Sequence, residues 1–154
     1  MAAPMSDLDA SAIGTRIPGH TAQVERGRLR FFAAATGQTD PTYADLDAAR
    51  RAGHRDLPVP PTFLFCLDLD TPTPSTLYAD LGIDPRTILH GEQEFTYHAT
   101  AYAGDTLAFS SEVTDVYAKK GGALRFLVRT TEVTRNGEPV ARLRATVVVR
   151  DPRH

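Results

Sequence analysis

Arg135-Asn136-Gly137-Glu138 constrains this chain more than any other segment, because it sets Asn-Gly between two runs of strand character. Asn and Gly both tolerate the positive φ of a tight hairpin turn, so the flanking runs are predicted to pair antiparallel. Upstream, Ala123 to Val133 alternates Leu, Phe and Val with Arg and Thr; downstream, a strand is expected over about Pro139 to Arg150. Lys119-Lys120-Gly121-Gly122 predicts a second hairpin, joining Ala123–Val133 to the β-branched and aromatic run Leu107–Val116. Glu94 to Ala99 alternates as well. From Arg86 onward the chain therefore reads as a mostly antiparallel sheet.

The first half reads as helices. Residues 1–12 show no sustained period and are taken as a flexible tail or a short first helix, leaving 13–154 as a single domain. Glu25 to Ala35 carries Leu29, Phe32 and Ala33 on one helical face and stops before Gly37. Asp40 then offers an N-cap, Pro41 a first helical residue, Asp45 and Asp47 early acids, Arg50 and Arg51 late bases, and Gly53 a stop, which predicts one helix. The Pro58 to Pro61 cluster breaks the chain, and Pro61 opens an apolar segment, Thr62 to Leu69. That segment is the candidate central helix, although periodicity alone does not exclude a strand. After Thr71 to Pro74, Ser75 is expected to cap a short helix reaching Leu81. A sheet with one apolar face needs a cover, so the architecture is α+β, with the sheet packed on the helix after Pro61.

With 154 residues and 42% hydrophobic content, the chain suffices for one core and not for two. A net charge of −2 and a pI near 6.2 argue against a nucleic-acid binder, which needs a basic surface. The single Cys66, among Phe63, Leu64, Phe65 and Leu67, reads as a small apolar side chain. The early acids of the N-terminus and the lack of an apolar run near ~20 residues predict a cytoplasmic protein without a membrane span.

The string Phe32 to Tyr43, F-A-A-A-T-G-Q-T-D-P-T-Y, resembles the catalytic loop of MaoC-like hydratases and dehydratases. In that family the pattern is an aromatic, three residues, Ser or Thr, Gly, Asp, any residue, Asn, Pro, any residue, His. Thr36, Gly37 and Pro41 keep the frame, while Gln38, Asp40 and Tyr43 occupy the Asp, Asn and His positions. Leu57-Pro58-Val59-Pro60-Pro61-Thr62-Phe63 is similar to the segment opening the central helix of the family's N-terminal domains. Leu89 to Phe95 and Ala103 to Leu107 are similar to its two-strand region. The resemblance, to the N-terminal, FAS1-like accessory type, runs from about residue 24 to 149. It implies a hotdog fold, an antiparallel sheet wrapped around a central helix.

The resemblance further implies chemistry. Active members interconvert trans-2-enoyl and 3-hydroxyacyl thioesters, usually the R isomer, on coenzyme A or acyl carrier protein, without a cofactor. An Asp and a His share the water, and backbone N–H groups at the start of the central helix meet the thioester oxygen. Here the N–H of Thr62 is the expected oxyanion donor, since Pro61 has none. Gln38 cannot ionise, and the Tyr43 phenol, with a reference pKa of about 10, is a poor base at neutral pH. Asp40 fits a cap better than a displaced base. Tyr at the His position is also a familiar form in the N-terminal branch.

The expected function is accordingly a hydratase or dehydratase component that holds the acyl chain while a catalytic MaoC-like hotdog supplies Asp and His. Phe63, Leu64 and Phe65 are candidates for the acyl tunnel or for plain core. Two alternatives stay open: a homodimeric hydratase working through Asp40, Tyr43 or a histidine, and a non-enzymatic acyl-thioester binder. Thioester hydrolysis also uses hotdog folds, but the hydratase-type loop argues against it. Pairing, as a homodimer or heterodimer, is expected because one hotdog leaves a sheet edge exposed. His90 and His98 lie eight residues apart with Gly91 between them, and no third ligand has metal-site spacing. His54 follows Gly53 in a loop whose direction the sequence leaves open; His20 and His154 carry no signal. Arg125, Arg129, Arg142 and Arg144 would form a strip for coenzyme A phosphates or an acidic carrier if the hairpin register aligned them; otherwise they are a solvated face.

Overall fold

The computed structural model describes residues 8–71 and 76–150. Its strands are β1 (Arg16–Gln23), β2 (Ile88–Tyr97), β3 (Thr106–Lys119), β4 (Leu124–Arg135) and β5 (Glu138–Arg150), and its helices are α1 (Arg26–Ala35), α2 (Leu46–Arg51), α3 (Leu64–Leu69) and α4 (Leu77–Asp80). The strands form one antiparallel sheet in the order β1-β3-β4-β5-β2. The β4–β5 turn has Asn136 at φ 52° and Gly137 at φ 83°, the pair of positive values for which Asn-Gly is suited.

Burial alternates along β3, where Leu107, Phe109, Ser111 and Val113 face inward. Leu107 and Phe109, with Val133, Ala141 and Leu143, meet Phe63, Leu64 and Leu67 of the α3 segment, and α1 and α2 close the same core through Leu29 and Ala49. The apolar segment after Pro61 is thus the helix around which the sheet wraps, as expected of a hotdog fold. A second apolar cluster, Leu8, Ala12, Leu77, Ile83, Val113, Leu127 and Val149, fills the other end.

Several local expectations are corrected. The segment after Asp40 is not one helix: a single 3-10 turn, Pro41–Tyr43, ends at Ala44, and α2 begins anew because the Asp45 carboxylate accepts from the N–H groups of Asp47 and Ala48. Gly53 still closes α2, at φ 90°. Strand β1 has no counterpart in the sequence reading. Pro18-Gly19 looks like a turn, but it sits in a register shift between Ile17 and His20 on an edge strand, where a missing N–H is tolerated. Leu8 and Ala12, assigned to a tail, are buried at 6% and 4% exposure, so the domain reaches back at least to Leu8. Ser75 lies outside the described residues; the residue before α4 is Thr76, whose hydroxyl donates to Asp80 at 2.6 Å. No helix among the described residues is long and apolar enough to cross a membrane.

Candidate functional site

The loop that follows α1 runs over the start of α3, and a cleft of about 370 Å³ opens there. Its wall is made by Tyr43, His54, Pro58, Val59, Pro61 and Leu64 on the helical side and by Tyr97 to Ala101 and Val140 on the sheet side. Of the three loop positions singled out in the sequence, only Tyr43 reaches this wall. Gln38 is turned back on its own loop, its Oε1 accepting from the Asp40 N–H at 3.1 Å. Asp40 caps the 3-10 turn, accepting from the Thr42 N–H at 2.9 Å, and that hydrogen bond, with the Thr42 hydroxyl, holds its carboxyl below the usual carboxylate range. A carboxylate so stabilised is a weaker base, which agrees with its reading as a cap.

Thr62 sits at the mouth in an unusual backbone state, φ 74°, where a β-branched side chain is rarely found. Its N–H donates to Tyr97 Oη at 2.9 Å, so the expected oxyanion donor faces a phenol. The Tyr97 ring stacks on Phe95, with centroids 5.9 Å apart and planes 3° from parallel. His54 is held by another tyrosine: its Nδ1 lies 3.1 Å from the Tyr102 hydroxyl, and the Arg55 guanidinium covers the Tyr102 ring at 4.5 Å. Behind them Asp105 is buried, which raises its pKa. Hydrogen bonds from Arg55, the Tyr102 N–H and Arg135 outweigh that burial and keep the carboxyl below its ordinary value. The result is a polar mouth, two phenols and two imidazoles, on rigid supports.

The three tunnel candidates separate. Leu64 borders the cleft. Phe65 instead borders a mainly apolar cavity of about 230 Å³ with Leu69, Tyr78, Ile88, His90, Leu127, Arg129, Ala145 and Val147. Phe63 is core, edge-on to Phe32 at 5.1 Å. Cys66 is half-buried and burial pushes its thiol pKa up, as suits an inert apolar side chain.

The arginines do not make one strip. In the β4–β5 register Arg129 opposes the buried Ala145, while Arg142 opposes Glu132 and Arg144 opposes Thr130 on the outer face. Arg125 and Arg129 thus point inward and Arg142 and Arg144 outward. Arg125 donates to the Leu8 carbonyl at 2.9 Å, and Arg142 Nε reaches Glu132 at 2.5 Å. His90 and His98 part as well, because the β2–β5 register shifts at Gly91: His90 packs against Phe65, and His98 lines the cleft. Tyr97 and His98 had no local signal as cleft residues, nor Tyr102 as the partner of His54, since Tyr97 meets Thr62 and Tyr102 meets His54 across more than thirty positions of sequence. His54 was visible as a loop histidine without a direction. Among the described residues no group of three or more His, Cys, Asp and Glu could hold a metal ion.

These features define a hotdog domain with a cleft where the loop after α1 meets the start of α3. The family described as the FAS1-like dehydratase domain region matches residues 11–143, and the chain belongs to it. A UPF0336 protein from Saccharopolyspora erythraea is 36% identical over 144 residues, covering 93% of this chain and 92% of that protein. Among solved structures, a MaoC-like dehydratase superposes with a TM-score of 0.79 at 24% identity, matching 93% of this chain and 43% of that longer one. A chain of the truncated HadBC (3R-hydroxyacyl-ACP dehydratase) complex of Mycobacterium tuberculosis gives 0.74 at 23% identity over 91% of this chain and 99% of that one. At such identities the two structures speak to the fold.

Proposed function

We propose that this chain is the acyl-thioester-holding member of a two-component (R)-enoyl-thioester hydratase or 3-hydroxyacyl-thioester dehydratase. A second hotdog chain supplies the acid and base. One observation carries the reading: the cleft lies where the family's catalytic loop meets α3, yet that loop presents the Tyr43 phenol there and no carboxylate. Hydration puts a hydroxyl on one carbon of the enoyl double bond and a proton on its neighbour, so the water must be deprotonated. Gln38 cannot take that proton, and Asp40 is committed to Thr42. No cofactor enters the chemistry.

Leu64 lies at the cleft and Phe65 at the apolar cavity, and in this reading the acyl chain follows these α3 side chains inward. Coenzyme A or a carrier protein stays outside. Pairing is supported by the free side of β2, a ten-residue edge with Leu89 exposed, which a second hotdog can extend. The HadBC dehydratase, a complex by name, fits the same arrangement. A cytoplasmic location belongs to this reading.

The test is hydration of crotonyl-CoA and of a longer enoyl-CoA, followed by absorbance, by the pure chain and by its mixture with a catalytic hotdog partner. No turnover alone and turnover in the mixture is the expected result. Turnover by the pure chain would overturn it in favour of a homodimeric enzyme. His54 is then the residue to examine, since it lines the cleft while Tyr102 holds its Nδ1. Acyl-CoA binding with no turnover in any mixture would leave a non-enzymatic binder.

A further inference from the structure

Resting on the thioester reading of the cleft, we propose that the Tyr97 hydroxyl, and not a backbone amide, is the group that anchors the thioester carbonyl oxygen. The amide expected in that role, Thr62 N–H, already donates to Tyr97 Oη at 2.9 Å. A phenol oxygen that accepts one hydrogen bond keeps its own proton for another partner, and accepting strengthens the bond it can give. Among the described residues nothing accepts the Tyr97 proton. Tyr97 is 49% exposed and shares the cleft wall with Tyr43 and His54, so that proton is available to a ligand in the cleft.

Two further features point the same way. The Tyr97 ring is fixed by its parallel stack on Phe95, which limits the positions the hydroxyl can take. Thr62, which polarises it, is held at φ 74° although a β-branched residue pays for that state with backbone strain. Strain of this kind persists where the surroundings impose it, and here it directs the Thr62 N–H at one phenol.

The experiment uses the whole chain and octanoyl-CoA carrying a ¹³C label at its thioester carbonyl. The infrared stretch of that carbonyl is recorded free and bound, and affinity is measured by calorimetry, for the wild type and Tyr97→Phe. Free coenzyme A, which lacks the carbonyl, serves as the control ligand. The expected result is a lowered carbonyl frequency in the wild type that is lost in Tyr97→Phe, with octanoyl-CoA affinity falling about tenfold and coenzyme A affinity unchanged. Tighter binding by Tyr97→Phe would overturn the proposal and make the hydroxyl a plug on Thr62. An unshifted carbonyl in a wild-type complex, or equal affinities, would overturn it while the thioester reading stands. No octanoyl-CoA binding by the wild type, alone or with a partner chain, would overturn both.

Discussion

The two ends of α3 carry polar side chains of opposite fates. At its C-terminal end, Asp68 is buried at 4% exposure and takes a hydrogen bond from Arg129 at 2.5 Å, Thr131 approaches the same carboxylate at 3.4 Å, and Ser111 bonds Thr131 at 2.7 Å. Nearby, His20 Nε2 meets the Leu67 carbonyl at 2.9 Å while its ring stacks on Phe109. Each of these groups has a partner inside the protein, and His20, Asp68, Ser111 and Arg129 also line a cavity of about 200 Å³. At the N-terminal end, Tyr43, His54, Tyr97 and His98 face a cleft, and the backbone between them is strained at Thr62. Polar groups tied to one another specify a fold; polar groups left facing space are what a ligand can use. Both ends border a cavity, and hydrogen-bond accounting separates them: the Asp68 carboxylate and the Arg129 guanidinium satisfy each other, whereas the Tyr97 hydroxyl accepts from Thr62 and keeps a proton to give.

The largest effect is expected where that accounting is closed. Asp68→Ala leaves Arg129 charged and unpaired beside an apolar core, and should lower unfolding stability by about 3–5 kcal/mol in urea titrations. Replacing both partners, Asp68→Leu with Arg129→Met, should recover most of the loss, because an apolar pair of similar volume has no charge to strand. A loss below about 1 kcal/mol in the single variant would erase the contrast between the two ends. At the cleft end the sign reverses. Thr62→Gly keeps the N–H and removes the Cβ that disfavours φ 74°, so it should stabilise the protein by about 1 kcal/mol, read as a raised melting temperature. A destabilised Thr62→Gly would mean that the threonine side chain holds the loop by contacts that outweigh its backbone cost.

Local signals and tertiary ones divide the same way. The β4–β5 hairpin was legible because Asn136 and Gly137 act on their own backbone, and α1 was legible because Leu29 and Ala33 recur on one face. The break between Tyr43 and α2 was not, since Asp40 and Asp45 are both good caps and the sequence shows only that a helix starts nearby. β1 was hidden by Pro18-Gly19, which mean a turn in isolation and a bulge when β3 lies alongside. The Phe32–Tyr43 loop pattern could be read in the sequence, and Tyr43 from it lines the cleft. The Thr62–Tyr97 and His54–Tyr102 contacts could not, for they depend on how β2 and the β2–β3 connection lie against the α3 segment. The arginine strip failed for a related reason: even spacing within a strand says which residues share a face, and only the pairing register says whether two strands present them on the same one.

A smaller effect concerns Asp40. If it is a cap, Asp40→Asn preserves the acceptor for Thr42 N–H and leaves melting temperature and acyl-CoA binding unchanged, while Asp40→Ala lowers the melting temperature by a few degrees. Loss of hydration activity in Asp40→Asn, measured with the partner chain present, would instead return Asp40 to the chemistry.

The smallest effect should come from the ion pair of Asp56 with Arg26, the exposed counterpart of Asp68–Arg129. Asp56 accepts from Arg26 Nε at 2.9 Å and Nη2 at 2.6 Å and from the Leu57 N–H at 2.7 Å, and the Arg26 hydrogen bond foremost lowers its pKa to about 2. A carboxyl whose pKa is depressed by folding contributes stability above its unfolded value, near about 4, and loses that contribution as pH falls toward the folded value. The stability gap between wild type and Asp56→Asn should therefore be constant above about pH 5 and close between about pH 4 and pH 2. Because Arg26 is half exposed, the gap itself should be small and shrink further in high salt, unlike that of Asp68→Ala. A gap that widens with acid would place the Asp56 carboxyl in an environment that favours its protonated form, and would remove this pair as the exposed end of the comparison.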